Sequence, residues 1–149
     1  MNELPVVGVL MGSANDADTM KPCLEILQEY EIPFESKVLS AHRNPDETLQ
    51  FASRAAKLGF KVLIAGAGAA AALPGLLASK TSLPVIGVPI SSTSLGGLDA
   101  LLSMVQMPGG VPVATMAIGK AGAKNAAHFA LRLLALEDAG LRSRLRQVD

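Results

Sequence analysis

The chain has 149 residues, 15.4 kDa, 13 Lys and Arg against 13 Asp and Glu, and one cysteine, Cys23. With 50% hydrophobic residues it can bury the core of one ordinary domain, which excludes disorder, and its single cysteine excludes an internal disulfide and points to a reducing compartment. The neutral balance lacks the basic excess used for phosphate-backbone contacts, and with no Trp and one Tyr there is no stacking platform for single strands, so no nucleic-acid partner is expected.

Met1 to Pro5 shows no basic run ahead of an apolar stretch, so no signal peptide is expected. Val6-Val7-Gly8-Val9-Leu10 is apolar without alternation and predicts a buried strand. Met11 to Asp16 is a turn with several candidate caps, followed by a helix with Met20, Leu24, Leu27 and Tyr30 on one face. Pro22 inside that helix predicts an irregular first turn. Phe34 to Leu39 predicts a second strand. At Asn44-Pro45-Asp46-Glu47 a helix starts, with Asn44 as cap, Pro45 in first position and Glu47 closing a capping box; Gly59 ends it.

Val62 to Ala65 predicts a third strand leading into the loop Gly66 to Gly75. That longest apolar stretch, 62–77, is interrupted by glycines and Pro74, short of the ~20 unbroken apolar residues of a membrane span, so no membrane partner is expected. Pro84 to Val88 predicts the fourth strand, with the polar loop Ser91 to Ser94 behind it and a helix from Leu98 to Met104. After the turn Met107-Pro108-Gly109-Gly110 come a fifth strand, Val113 to Ile118, a long helix from Ala123 to Ala139 ended by Gly140, and a helical tail from Leu141 to Asp149.

Strands alternating with helices imply right-handed βαβ crossovers and a parallel sheet covered on both faces. The expected fold is α/β: a single three-layer α/β/α domain over 1–149, with a five-stranded parallel sheet of flavodoxin-like or Rossmann-like type and a C-terminal helix. In such sheets ligands bind beyond the carboxyl ends of the strands. The loops Gly12 to Asp16, Ser40-Ala41-His42-Arg43, Gly66-Ala67-Gly68 and Ser91 to Gly97 therefore converge on one site. Gly12-Ser13, between a strand and a helix N-terminus, suits a phosphate, although Ser13 serves equally as a helix cap. Arg43 on the neighbouring loop can grip a phosphate or carboxylate through two N–H groups. His42, beside it, is the residue best placed for proton transfer, since a histidine can give and take protons near neutral pH. His128, in the last long helix, reads as an ordinary surface or interface residue.

Other chemistries find little support. Gly66-Ala67-Gly68-Ala69-Ala70-Ala71 fits a loose dinucleotide fingerprint, but it follows the third strand and no acidic residue stands ~20 residues on. No Walker sequence or nucleophile elbow is present, one cysteine and two distant histidines make no metal site, and Cys23 among apolar neighbours reads as packing. On residues alone, the site binds a small phosphorylated molecule and offers one histidine.

Val9 to Ser13, Ser40 to Asp46, Ile64 to Gly68, Leu73-Pro74-Gly75, Pro84 to Pro89 and Ser103 to Val113 together carry a resemblance. From Val6 to about Leu136 the chain resembles the PurE family of de novo purine synthesis, in its 5-(carboxyamino)imidazole ribonucleotide mutase class. The resemblance implies a cytoplasmic homo-octamer that works without cofactor or metal and moves a carboxylate from the exocyclic amine to C4 of an aminoimidazole ribonucleotide. His42 then corresponds to the catalytic acid and base, with Ser13, Asp16 and Arg43 around the ribose phosphate. Gly12, Ser40, Ala41, Gly66, Ala67, Gly68 and Leu73 complete the expected substrate contacts, and the Ala67 to Leu73 stretch lines a poorly hydrated pocket for CO2. The sequence departs from the family pattern at Ala72, where a histidine is usual, at Ala69 or nearby, where a glycine is, and at Asn15, where a serine is; its tail is also shorter. Arg43 and Ala67-Gly68 favour the mutase over the related carboxylase class that adds CO2 directly. Two other readings are a catalytically impaired phosphoribosyl-ligand binder, motivated by Ala72, and a flavodoxin-type electron carrier, which the ligand loops disfavour by lacking Trp and Tyr.

Overall fold

The structure is a computed structural model, and it describes residues 3–146. Five strands, β1 (Val7–Met11), β2 (Phe34–Val38), β3 (Val62–Gly68), β4 (Val85–Ile90) and β5 (Ala114–Thr115), form one parallel sheet in the order β2-β1-β3-β4-β5. That is the flavodoxin-like order, not the Rossmann one. Six helices cover it: α1 (Ala17–Glu29), α2 (Pro45–Ala55), α3 (Leu73–Ala78), α4 (Leu98–Val105), α5 (Lys120–Ala135) and α6 (Ala139–Arg146).

Alternation along the strands divides the core in two. Val7, Val9 and Met11 of β1, Val62 and Ile64 of β3 and Ile86, Val88 and Ile90 of β4 pack with Met20, Cys23 and Leu27 of α1 and the alanines of α5. Leu10, Leu63, Ala65, Ala67 and Val85 face the other way, onto Phe51, Leu73, Leu77, Ala100 and Met104 of α2, α3 and α4. On the inner face of α5, Gly122, Ala123, Ala126, Ala127 and Ala130 are buried, and side chains this small let the helix lie close to α1 and the sheet. Glycines in the strands serve the same closeness: a Cβ on Gly66 would lie 2.5 Å from Met20 Sδ, and one on Gly87 would lie 3.0 Å from Met104 Sδ.

Several expected boundaries move. A 3-10 turn, Ala14–Asp16, capped by Ser13, precedes α1, whose own first turn is α-helical and not irregular as expected, with Pro22 as its sixth residue. β3 runs on through Gly66, Ala67 and Gly68, so these residues are strand and not loop, and the turn before α3 is only Ala69 to Ala72. Asn44 is the N-cap residue of α2 but its side chain makes no cap bond, and Glu47 closes no capping box because the Asn44 N–H it would take is already engaged by the Ser40 carbonyl at 2.7 Å. Thr48 Oγ1 instead donates to the Asn44 carbonyl at 2.8 Å.

The fifth strand shrinks to two residues. Met116 N–H bonds to the Gly87 carbonyl at 2.8 Å, but the companion donor on β4 would be residue 89, and Pro89 has no N–H to give. The long helix ends at Ala135, and Gly140 lies inside α6 instead of terminating its predecessor. Asp138 caps that new start, its Oδ1 accepting the Leu141 N–H at 2.9 Å. The expected helical tail is α6 as far as Arg146, and the rest of it lies outside the described residues.

Candidate functional site

The chain leaves β1 toward one face of the sheet, into α1, and leaves the adjacent β3 toward the other, into α3. Between those diverging connections a crevice opens at the carboxyl ends of the strands. It is a cleft of about 370 Å³ lined by Gly12, Ser13, Asn15, Asp16, Ser40, Ala41, His42, Arg43, Ala67, Gly68, Ala69, Ala71, Ala72, Leu73 and Ser92. Of the residues singled out from the sequence, only Gly66 is not in the lining. It lies one residue deeper in β3, beneath Met20. Of the loop Ser91 to Gly97, expected to converge there, only Ser92 reaches the lining, and Asn15, a departure from the family pattern, lines it too.

One wall is polar. Ser13 caps the 3-10 turn, its Oγ accepting the Asn15 N–H at 3.2 Å, and lines the cleft as well. Asp16 is one of two buried polar residues among those described, 6% exposed. Burial pushes its carboxyl up from the ordinary value of 3.8, partly offset by the Ser13 backbone N–H that donates to it. His42 and Arg43 sit exposed on the neighbouring turn, whose shape is held by the Ser40 Oγ accepting the Arg43 N–H at 3.2 Å. Arg43 pairs with no carboxylate among the described residues, so its guanidinium is available to an anionic ligand.

The other wall is alanine. Ala69 and Ala71 take positive φ, 54° and 39°, and Ala71 N–H bonds back to the Gly68 carbonyl at 2.9 Å. Leu73 begins α3, and the first N–H groups of a helix have no partner within it. The cleft therefore sets carboxylate, imidazole, guanidinium and hydroxyl groups against a surface of methyl groups. His128 lies elsewhere, on the outer face of α5 beside Met116, Phe129 and Arg132. Cys23 is wholly buried and its thiol is pushed up to about 12 by that burial, which suits packing and not nucleophilic use. Among the described residues no group of three or more His, Cys, Asp and Glu is placed to hold a metal, and no helix is long and apolar enough to cross a membrane.

A family model described as AIR carboxylase matches residues 6–149. The chain is 56% identical to an N5-carboxyaminoimidazole ribonucleotide mutase of Bacillus subtilis over 95% of its own length and 87% of that protein's. It is 55% identical to a protein of the same name from Saccharolobus solfataricus, over 97% of this chain and 90% of the relative. Among solved structures, Treponema denticola PurE superposes with a TM-score of 0.86 at 27% identity, covering 97% of this chain and 89% of the other.

Proposed function

This chain belongs to the AIR carboxylase family, among its N5-carboxyaminoimidazole ribonucleotide mutases, isomerases of purine biosynthesis, and on that premise we propose how it works. The observation that carries the proposal is the pairing of His42 and Arg43 on one turn, across the crevice from a wall of alanines. Arg43, Ser13 and Ser40 hold the ribose phosphate, and Asp16, which would repel that phosphate, faces the sugar. The aminoimidazole then lies between His42 and the alanine wall.

In the first step the C–N bond of the carbamate breaks, its electron pair returns to nitrogen, and CO2 is released as His42, in its protonated form, gives that nitrogen a proton. CO2 is small and uncharged, and the methyl groups of Ala69 to Ala72 hold it without water that would hydrate it. In the second step C4 of the ring attacks CO2 and the new C–C bond forms. His42, now neutral, takes the C4 proton and restores the aromatic ring. Backbone N–H groups at the start of α3 face the carboxylate that develops. One proton goes out and one comes back, so the histidine ends as it began and no cofactor or metal enters.

The whole chain, 1–149, acts in this reading as one catalytic domain in the cytoplasm, assembled as a homo-octamer. Leu98, Leu102 and Val105 support assembly: they form an exposed apolar stripe along α4, continued by Leu95.

Supplying the carbamate ribonucleotide without ATP or metal should yield the 4-carboxylated aminoimidazole. Turnover only from aminoimidazole ribonucleotide plus bicarbonate would move the chain to the carboxylase class, and binding without turnover in either tube would leave it a ligand binder. His42→Asn should lose about 10²–10⁴-fold in kcat while binding the aminoimidazole ribonucleotide almost as well, because it deletes proton transfer and no phosphate contact. Equal losses of rate and binding would remove His42 from that role.

A further inference from the structure

The loop after β4 brings a polar group into the cleft that the mechanism above does not use. Ser92 lines the same cavity as Asp16 and His42. The other two serines there already accept a bond from the fold, Ser13 Oγ from the Asn15 N–H and Ser40 Oγ from the Arg43 N–H, each at 3.2 Å, and keep their O–H for the phosphate. The hydroxyl of Ser92 enters no such bond among the described residues.

Its place is nevertheless closely defined. The Ser92 side chain fills the space that a side chain on Gly68 would need: a Cβ there would overlap Ser92 Oγ and come within 2.9 Å of Ser92 Cβ. Behind it the loop is braced by Thr93, whose Oγ1 donates to Asp99 Oδ2 at 2.8 Å and accepts the Leu95 N–H at 3.1 Å. A free hydroxyl is thus held against the end of β3.

The strand order sets the distance from this hydroxyl to Arg43. The loop carrying Arg43 follows β2 and the loop carrying Ser92 follows β4, with β1 and β3 between them. Because the Ser92 hydroxyl leans over Gly68 at the end of β3, two strand spacings, roughly 10 Å along the cleft, separate it from the Arg43 loop. A free phosphate held by Arg43 cannot span that length, whereas a nucleotide-sized molecule approaches it.

We propose that Ser92 is a further substrate-binding residue, hydrogen-bonding the heterocyclic end of the substrate while Arg43 holds the phosphate end. The assignment rests on the functional reading above in taking the ligand to be a phosphoribosyl heterocycle. A hydroxyl both donates and accepts, so it can serve the exocyclic amine, a ring nitrogen or the carboxylate.

The test compares two probes that reach different distances along the cleft, aminoimidazole ribonucleotide and ribose 5-phosphate. Ser92→Ala should bind the ribonucleotide about tenfold more weakly and raise KM for the carbamate to match, while ribose 5-phosphate binds as to wild type. An unchanged ribonucleotide affinity would overturn the proposal. Equal weakening of both probes would overturn it too, since that is the mark of a disturbed loop. If the wild type fails to convert the carbamate, the functional reading falls, and the contrast between the probes still decides Ser92.

Discussion

Asp16 is a carboxyl group buried where its charge is poorly solvated, and this has a consequence for stability. The unfolded chain ionises at the ordinary value of 3.8, whereas the folded chain resists ionisation to a higher pH. In that window the folded state holds the extra proton, so stability falls as pH rises and the penalty persists above it. Asp16→Asn is therefore expected to melt at a higher temperature than wild type at pH 7 and at the same temperature near pH 3. Thermal melts at fixed pH check this, and an advantage that survives at pH 3 would assign the gain to something other than charge. Ala69 carries a second local cost, its φ of 54° lying in the left-handed region where a methyl group is crowded. Glycine relieves that crowding of about 1–2 kcal/mol and loses about 0.5–1 kcal/mol through a freer unfolded chain. Ala69→Gly should thus gain about 0.5–1 kcal/mol, read as a higher urea midpoint at unchanged m. Cys23, buried with its thiol pushed up to about 12, should resist iodoacetamide at pH 8 in the native protein and react on unfolding.

At the scale of elements, what the sequence could disclose was set by periodicity. β1, β3 and β4 are buried on both faces, and each is an apolar run recognisable without any neighbour. The loop behind β1, with Ser13 and Asp16, followed from its strand, whereas the turn with His42 and Arg43 follows the partly exposed edge strand β2 and is placed at the same end by the alternation of strands and helices. Features that depend on a partner in space were not. The short β5 reflects a missing donor at Pro89 on the strand beside it, and the unformed capping box reflects a carbonyl at Ser40 that claims the Asn44 N–H first. Ser92 was passed over because nothing local separates it from Ser91 or Ser94; only Gly68, two dozen residues earlier, shows which one leans into the cleft. The start of α5 depends on a similar long-range accommodation. A Cβ on Gly122 would overlap the Ala117 carbonyl oxygen, backbone that has no rotamer to change. Gly122→Ala should cost about 3 kcal/mol or more, visible as a lower denaturation midpoint, whereas Gly109→Ala, with open space at its Cβ, should not.

For the whole molecule, the sheet order places the turns carrying Ser13 and Arg43 and the alanine wall on opposite sides of one crevice, and that crevice is open to solvent in the single chain. Assembly would account for the apolar stripe on α4 that the single chain leaves uncovered. Light scattering is expected to give a particle of about eight times 15.4 kDa, and Leu102→Glu should shift it to smaller species; a monomer in the wild type would refute the assembly. How deep the crevice is depends on a residue outside it. Because position 66 has no side chain, Met20 can press onto the strand and α1 lies low over the sheet. One absent carbon atom, at a position outside the lining of the cleft, thus works as a spacer set to zero: adding it would force the thioether of Met20 and the tip of Ile90 to find new seats between α1 and the sheet, beneath the turn that carries Ser13 and Asp16.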